Sequence, residues 1–276
     1  MMNKQFVRLR TDEFINECLR IVDEARSRGV VVRVLGAVGI YIHSLHIPKA
    51  LEVYGRVGRF EGSDELFTDL DLIAYSKQRK EVMEFFEKVL KFKYDLITRA
   101  LFLQKRLIYH HPKDLYHVDI FFDKLEFSHD INFGEFGRGR LELDYPTIPL
   151  ADLLLEKLQI HKVNMKDIVD MVVLLYGHEV CSSDRECIDS KYIAKVLADD
   201  WGFWYDATQN LEKVKTYVSK YVSDGKLWSD VEVVVKERID KILKTVEEEP
   251  KTDKWLKRAK IRTSKPWYRE VEEVIR

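Results

Sequence analysis

Two aspartates interrupt an otherwise apolar run, Thr68-Asp69-Leu70-Asp71-Leu72-Ile73. Successive side chains of a strand point to opposite faces, so residues i and i+2 share one. Read as a strand, the run sends Leu70 and Leu72 towards a core and sets two carboxylates side by side on the other face. Adjacent carboxylates repel unless a positive charge lies between them. A divalent cation that prefers hard oxygen ligands, Mg2+ or Mn2+, meets that need. The same alternation also describes an ordinary half-exposed strand, so the pair has to be weighed with its surroundings.

Those surroundings are strand-like. Residues 30–35, Arg33 apart, are apolar and rich in valine without alternation, which suits a strand buried on both faces. The run stops at Gly36 and leads into a helix-like stretch, residues 38–45. A third carboxylate, Asp119, sits in Tyr116-His117-Val118-Asp119-Ile120-Phe121-Phe122, where His117 and Asp119 share a face. Before these strands, residues 11–27 carry apolar side chains at helical spacing and end at Arg28-Gly29. Residues 81–90 read as an amphipathic helix. Residues 106–111 and 115–122 flank Pro112-Lys113-Asp114, a hairpin signal. Residues 125–129 and 140–143 are expected to add edge strands. Residues 48–65, with Pro48, Gly55, Gly58 and Gly62, read as a mobile loop beside the site. After Pro149 the pattern becomes helical, over residues 150–161, 167–176, 190–197, 205–222 and 231–246. The expected fold class is therefore α/β (α+β). A small mixed sheet with helices, residues 1–147, is followed by a helical domain, residues 148–276.

A strand ending in Gly that opens a helix, then alternating aspartates, then a lone Asp on a later strand, resembles the nucleotidyltransferase fold of the DNA polymerase β type. The likeness is closer still to its small bacterial and archaeal members, including AbiEii-like nucleotidyltransferases, and covers residues 30–175. Residues 148–159 followed by Lys166-Asp167-Ile168-Val169-Asp170 resemble that group's helical continuation. The resemblance implies a Mg2+- or Mn2+-dependent transfer of a nucleoside monophosphate from a triphosphate. Asp69, Asp71 and Asp119 would hold two metal ions about 3.5–4 Å apart, and Asp119 would help deprotonate the acceptor hydroxyl. Gly36 and Ala37 would bring helix N–H groups to phosphate. Lys157 and Lys166 would neutralise it, with His117, Asp167 and Asp170 behind. The sequence departs from the family pattern at Gly36-Ala37-Val38-Gly39, where no hydroxyl follows the glycine. A catalytically degenerate relative that binds nucleotide or a protein partner, such as the antitoxin of a toxin pair, is the competing reading.

Composition narrows the partners less. With 46 Lys and Arg against 47 Asp and Glu, net charge argues for no particular partner. The C-terminal stretch, residues 251–269, is different: eight Lys or Arg stand against one Asp, with Trp255, Trp267 and Tyr268 interleaved. It suits RNA phosphates with rings stacking on bases, or a solvated helix. Trp201-Gly202-Phe203-Trp204-Tyr205 reads as core packing between helices. Lys157, set among leucines, either reaches a cleft or snorkels at a helix edge. His110, His111, His117 and His129 fit no zinc spacing, so no zinc is expected. Cys18, Cys181 and Cys187 read as free thiols, Cys181 and Cys187 pairing only if a loop joins them. Without an apolar signal core in residues 1–10 or a membrane-length apolar run, a cytoplasmic protein is expected.

Overall fold

The computed structural model describes residues 9–59, 66–94, 96, 99–100 and 105–270. The first eight residues, and Gly62 within the expected loop, lie outside them. The chain forms two compact units, both assembled from separate segments. The first comprises Met1–Ile42, Glu65–Lys124 and Asn132–Ile148; the second comprises His43–Asp64, Leu125–Ile131 and Pro149–Arg276. The last crossing falls at Ile148–Pro149, but two earlier stretches also belong to the helical unit, so the division is not one cut.

The first unit is built on a mixed sheet. Its main path is β1 (Val32–Val34), β2 (Asp69–Ala74), β3 (Lys93–Tyr94), β4 (Arg106–His110) and β5 (His117–Phe122), in the order β1-β2-β5-β4-β3, and two short strands, Lys124–Glu126 and Asp130–Asn132, lie off it. β2 and β5 run parallel; the other neighbours are antiparallel. Alternation along each strand divides the sheet into two faces. Val32, Val34, Leu70, Leu72, Ala74, Leu107, Tyr109, Val118, Ile120 and Phe122 form the core face. Helix α1 (Thr11–Ser27) joins that core with Phe14, Ile15, Cys18, Ile21, Val22 and Ala25, spaced by three or four residues. Burying a large apolar side chain contributes about 1.5–3 kcal/mol, so this face anchors the unit. Helix α4 (Arg79–Glu84) continues as a π-turn, Phe85–Val89, which places Phe85 and Phe86 in the core. The expected edge strand at 140–143 is instead a 3-10 turn, Arg140–Glu142. There Leu141 is buried and its N–H donates to the Tyr75 hydroxyl (3.1 Å) rather than to a neighbouring strand.

The second unit is helical. Residues Pro48–Val57, expected as a loop, form a helix α3 following α2 (Gly36–His43). Its apolar positions Ala50, Val53 and Tyr54 are buried at i, i+3 and i+4, with Pro48 in the first turn where a missing N–H costs nothing. The later helices are α5 (Leu150–Leu158), α6 (Met165–Gly177), α7 (Ser190–Asp199), α8 (Trp201–Ser223), α9 (Ser229–Glu248) and α10 (Asp253–Ala259). A pair of short parallel strands, Val180–Cys181 and Ile188–Asp189, brackets a loop closed by a Cys181–Cys187 disulfide. This corrects the expectation of three free thiols. The strands bring the two Cα atoms to 6.1 Å, within bridging range. Cys18 alone is free, and buried.

The C-terminal aromatics are also taken up inside this unit. Trp255 packs edge-on against Trp204 (5.2 Å) and Trp267 against Tyr205 (5.5 Å), while Tyr268 stacks on His161 (3.6 Å). Among the described residues, no helix is long and apolar enough to cross a membrane.

Candidate active site

The non-core face of the first unit's sheet carries the predicted carboxylates. Strand pairing sets Asp71 opposite Asp119 and Asp69 opposite His117 on the parallel β2–β5 pair. On β4, Ile108 lies opposite Asp119 and His110 opposite His117. Directly paired residues share a face. The result is two rows across three strands: Asp69, His117, His110 and, next to it, Asp71, Asp119, Ile108. The His110 and His117 rings lie 4.5 Å apart. Asp119 is buried, whereas Asp69 and Asp71 are half-buried. Thr68 donates its hydroxyl to Asp69 (2.9 Å).

The glycine turn sits beside this face. Gly36 has φ +69°, a backbone region that costs glycine little and other residues much. It follows β1 and opens α2. The Leu35 N–H donates to the Asp71 carbonyl (3.1 Å), so the turn into α2 is fastened to the residue that carries a central carboxylate. Ala37, in the same turn, is buried.

Carboxylate oxygens are the donors that Mg2+ or Mn2+ takes, and the register brings Asp71 and Asp119 to neighbouring positions. By donor type and backbone placement the residues suit a hard cation. Among the described residues, no three His, Cys, Asp or Glu side chains form a metal-holding group. A guanidinium stands close instead: Arg106 approaches Asp119 at 3.7 Å, with its side chain largely buried. It supplies positive charge where the sequence called for a cation.

Lys157, Lys166, Asp167 and Asp170 belong to the second unit. Lys157 is neither a free phosphate ligand nor a snorkelling residue. Its ammonium lies 3.0 Å from both Asp167 and Asp170 and is buried. Asp170, wholly buried, also accepts from Arg59 (2.9 Å) and from the Tyr54 hydroxyl (3.0 Å). Burial pulls the Asp170 carboxyl up, but Lys157 and Arg59 outweigh it and hold it below the usual range. For Lys157 burial works downward, and Asp170, Asp167 and Glu156 push it up. These charges sustain one another; removing one partner from such a set costs about 3–5 kcal/mol. Lys166 is exposed at the start of α6.

One cluster was not anticipated. Asp206 on α8 accepts from Nε2 of His129 (2.8 Å), Nδ1 of His161 (2.9 Å) and the indole N–H of Trp267 (3.0 Å). Burial raises its carboxyl, yet the bonds from His129, Trp267 and His161 prevail and hold it low. A signal was available: Asp206 and Asn210 fall on the apolar stripe of α8, where a polar residue needs a buried partner. Which partners was not legible, since they lie 45 to 77 residues away in the chain.

No protein-family model, curated protein or solved structure matches this chain. The resemblance drawn from the sequence is therefore carried by its own residues.

Proposed function

We propose that the protein is a Mg2+- or Mn2+-dependent nucleotidyltransferase, moving a nucleoside monophosphate from a triphosphate to an acceptor and releasing pyrophosphate. The observation that carries this reading is the joint placement of Asp69, Asp71 and Asp119 on one sheet face with the Gly36 turn fastened to Asp71. In the reaction, the acceptor hydroxyl attacks the α-phosphorus, the bond to the bridging oxygen of the β-phosphate breaks, and pyrophosphate leaves. Asp119 receives the hydroxyl proton. The Gly36–Ala37 turn presents backbone N–H groups to phosphate oxygens. Asp69, Asp71 and Asp119 would hold the cation, which when bound neutralises triphosphate charge and aligns attacking and leaving oxygens. Arg106 would have to yield Asp119 for that purpose. We place the activity in the cytoplasm, although the Cys181–Cys187 bridge weighs towards an oxidising setting. An RNA acceptor remains compatible with the basic residues 251–269, but their rings are already packed intramolecularly.

A second reading, a non-catalytic relative that binds a nucleotide or an antitoxin-like partner, is favoured by the Arg106–Asp119 contact and by the absence of a hydroxyl after Gly36. Calorimetric titration with each of the four nucleoside triphosphates, with and without Mg2+, separates the two. The transferase reading expects Mg2+-dependent binding that Asp69→Asn abolishes without unfolding the chain. Undiminished binding by the variant rejects the site.

A further inference from the structure

Residues 254–269 contain seven Lys or Arg and no Asp or Glu, and the whole stretch belongs to the second unit. Six of the seven, Lys254, Lys257, Lys260, Arg262, Lys265 and Arg269, are exposed. Two of these meet acids, Lys254 with Asp199 (3.2 Å) and Arg269 with Asp130. The other four fall between residues 257 and 265.

A basic run on a loose tail carries little information, but this one is folded. The Thr252 N–H donates to the Ala198 carbonyl (3.1 Å) and Trp255 packs on Trp204, which fastens the start of α10. The Trp267 indole N–H donates to Asp206 (3.0 Å) and fastens the end. Between them the Arg258 guanidinium donates to the carbonyls of Arg262 (3.2 Å), Lys265 (2.6 Å) and Pro266 (3.0 Å). The half-buried cation thus braces the turn that carries the exposed ones. Like charges held close together repel, and an anionic surface relieves that repulsion.

Aliphatic side chains share the exposed side. On α10 and its C-cap, Trp255, Arg258 and Ala259 are half-buried, whereas Asp253, Lys254, Leu256, Lys257 and Lys260 are exposed. Leu256 lies one turn before Lys260 and so shares its side of the helix. Leu256 is 48% and Ile261 38% exposed. Cations around exposed aliphatic groups suit the boundary of a bilayer, where headgroups meet acyl chains. A nucleic acid would use rings to stack on bases. Here Trp255, Trp267 and Tyr268 are packed on Trp204, Tyr205 and His161, and the exposed groups are ones that a phosphate backbone does not use.

We propose that residues 254–265 form a docking surface for an anionic lipid bilayer. Lys257, Lys260, Arg262 and Lys265 contact the headgroups, and Leu256 and Ile261 enter the boundary with the acyl chains. Docking does not depend on nucleotidyl transfer in the first unit.

The test sediments the full chain with phosphatidylcholine vesicles, with and without phosphatidylserine, at low and high NaCl. The expected result is binding to the phosphatidylserine vesicles alone, weakening as NaCl rises. Lys257→Gln combined with Lys260→Gln should lower the partition coefficient up to about thirtyfold at low salt. Leu256→Ser should lower it about fivefold, the effect of withdrawing a half-exposed leucine from the acyl boundary. Lys220→Gln combined with Lys226→Gln, exposed elsewhere in the same unit, should leave it unchanged. Should Leu256→Ser lower the melting midpoint, Ile261→Ser takes its place. Failure to bind phosphatidylserine vesicles at low salt, or an equal loss in the Lys220 and Lys226 variant, overturns the proposal. So does full vesicle binding by the serine variant together with tighter binding of a mixed-sequence RNA, which assigns the patch to nucleic acid.

Discussion

His178 shows how strongly this fold can constrain a single ionisable group. It is buried, contacts the Ser44 hydroxyl at 3.2 Å, and has the rings of His43 and His46 at 5.9 and 6.2 Å. Burial above all, then the charges of His43, His46 and Arg238, lower its pKa to about 3. An unfolded chain protonates the same ring near 6.5. Between those values the unfolded state binds a proton that the folded state refuses. The contribution of neutral His178 is therefore complete above about pH 6.5 and is lost as pH falls towards 3. We expect stability to decline through that window with a slope of up to about 1.4 kcal/mol per pH unit from this residue. Denaturant titrations of the wild type and His178→Leu across the window measure it. Parallel curves for the two proteins would show that His178 is not the source.

At the scale of elements, α8 is shaped by what docks on it. Gly202 in its first turn has no Cβ, and one built there would meet the Trp267 carbonyl at 2.5 Å and the His129 ring at 3.3 Å. Gly→Ala inside a helix ordinarily stabilises by up to about 1 kcal/mol. Here the sign should reverse, with Gly202→Ala costing about 1–3 kcal/mol through the clash and loosening residues 267–269. Faster tryptic cleavage after Arg262 in the variant, together with a lower denaturation midpoint, is the expected outcome; an unchanged cleavage rate rejects it. The element scale is also where the sequence was most readable. α1 was legible to its ends because one apolar stripe runs between a polar start and Arg28-Gly29. The rows of Asp69, Asp71, His117 and Asp119 followed from period-two alternation alone, and only their mutual register needed the structure. α3 was missed because its three buried positions are spread among Pro, Gly and charges that locally favour a loop. Their meaning emerges only from packing on α6. Arg106 was not foreseen at the site because cross-strand approach has no signature along the chain.

The whole molecule carries one covalent statement that can be counted. With Cys181 and Cys187 bridged and Cys18 fully buried, the native protein should show no fast-reacting thiol. Burial, with Glu17 adding to it, pushes the Cys18 thiol far up, so little thiolate is present to react. Unfolded without reductant the chain should yield one thiol, and after reduction three. Three thiols without reductant would mean that the bridge does not form in that preparation. The division into units has a consequence of another kind, one of timing. Tyr54 on α3 binds Asp170 on α6 across 116 residues of chain. A ribosome adding about 5–20 residues per second takes roughly 6–23 s to cover that distance. For that interval the apolar side of α3 has emerged without its partner, while the stretch being made contains β2 to β5 of the other unit. The helical unit stays unfinished while the sheet's strands are being made, and during that wait a chaperone would find its binding surface on Ala50, Val53 and Tyr54.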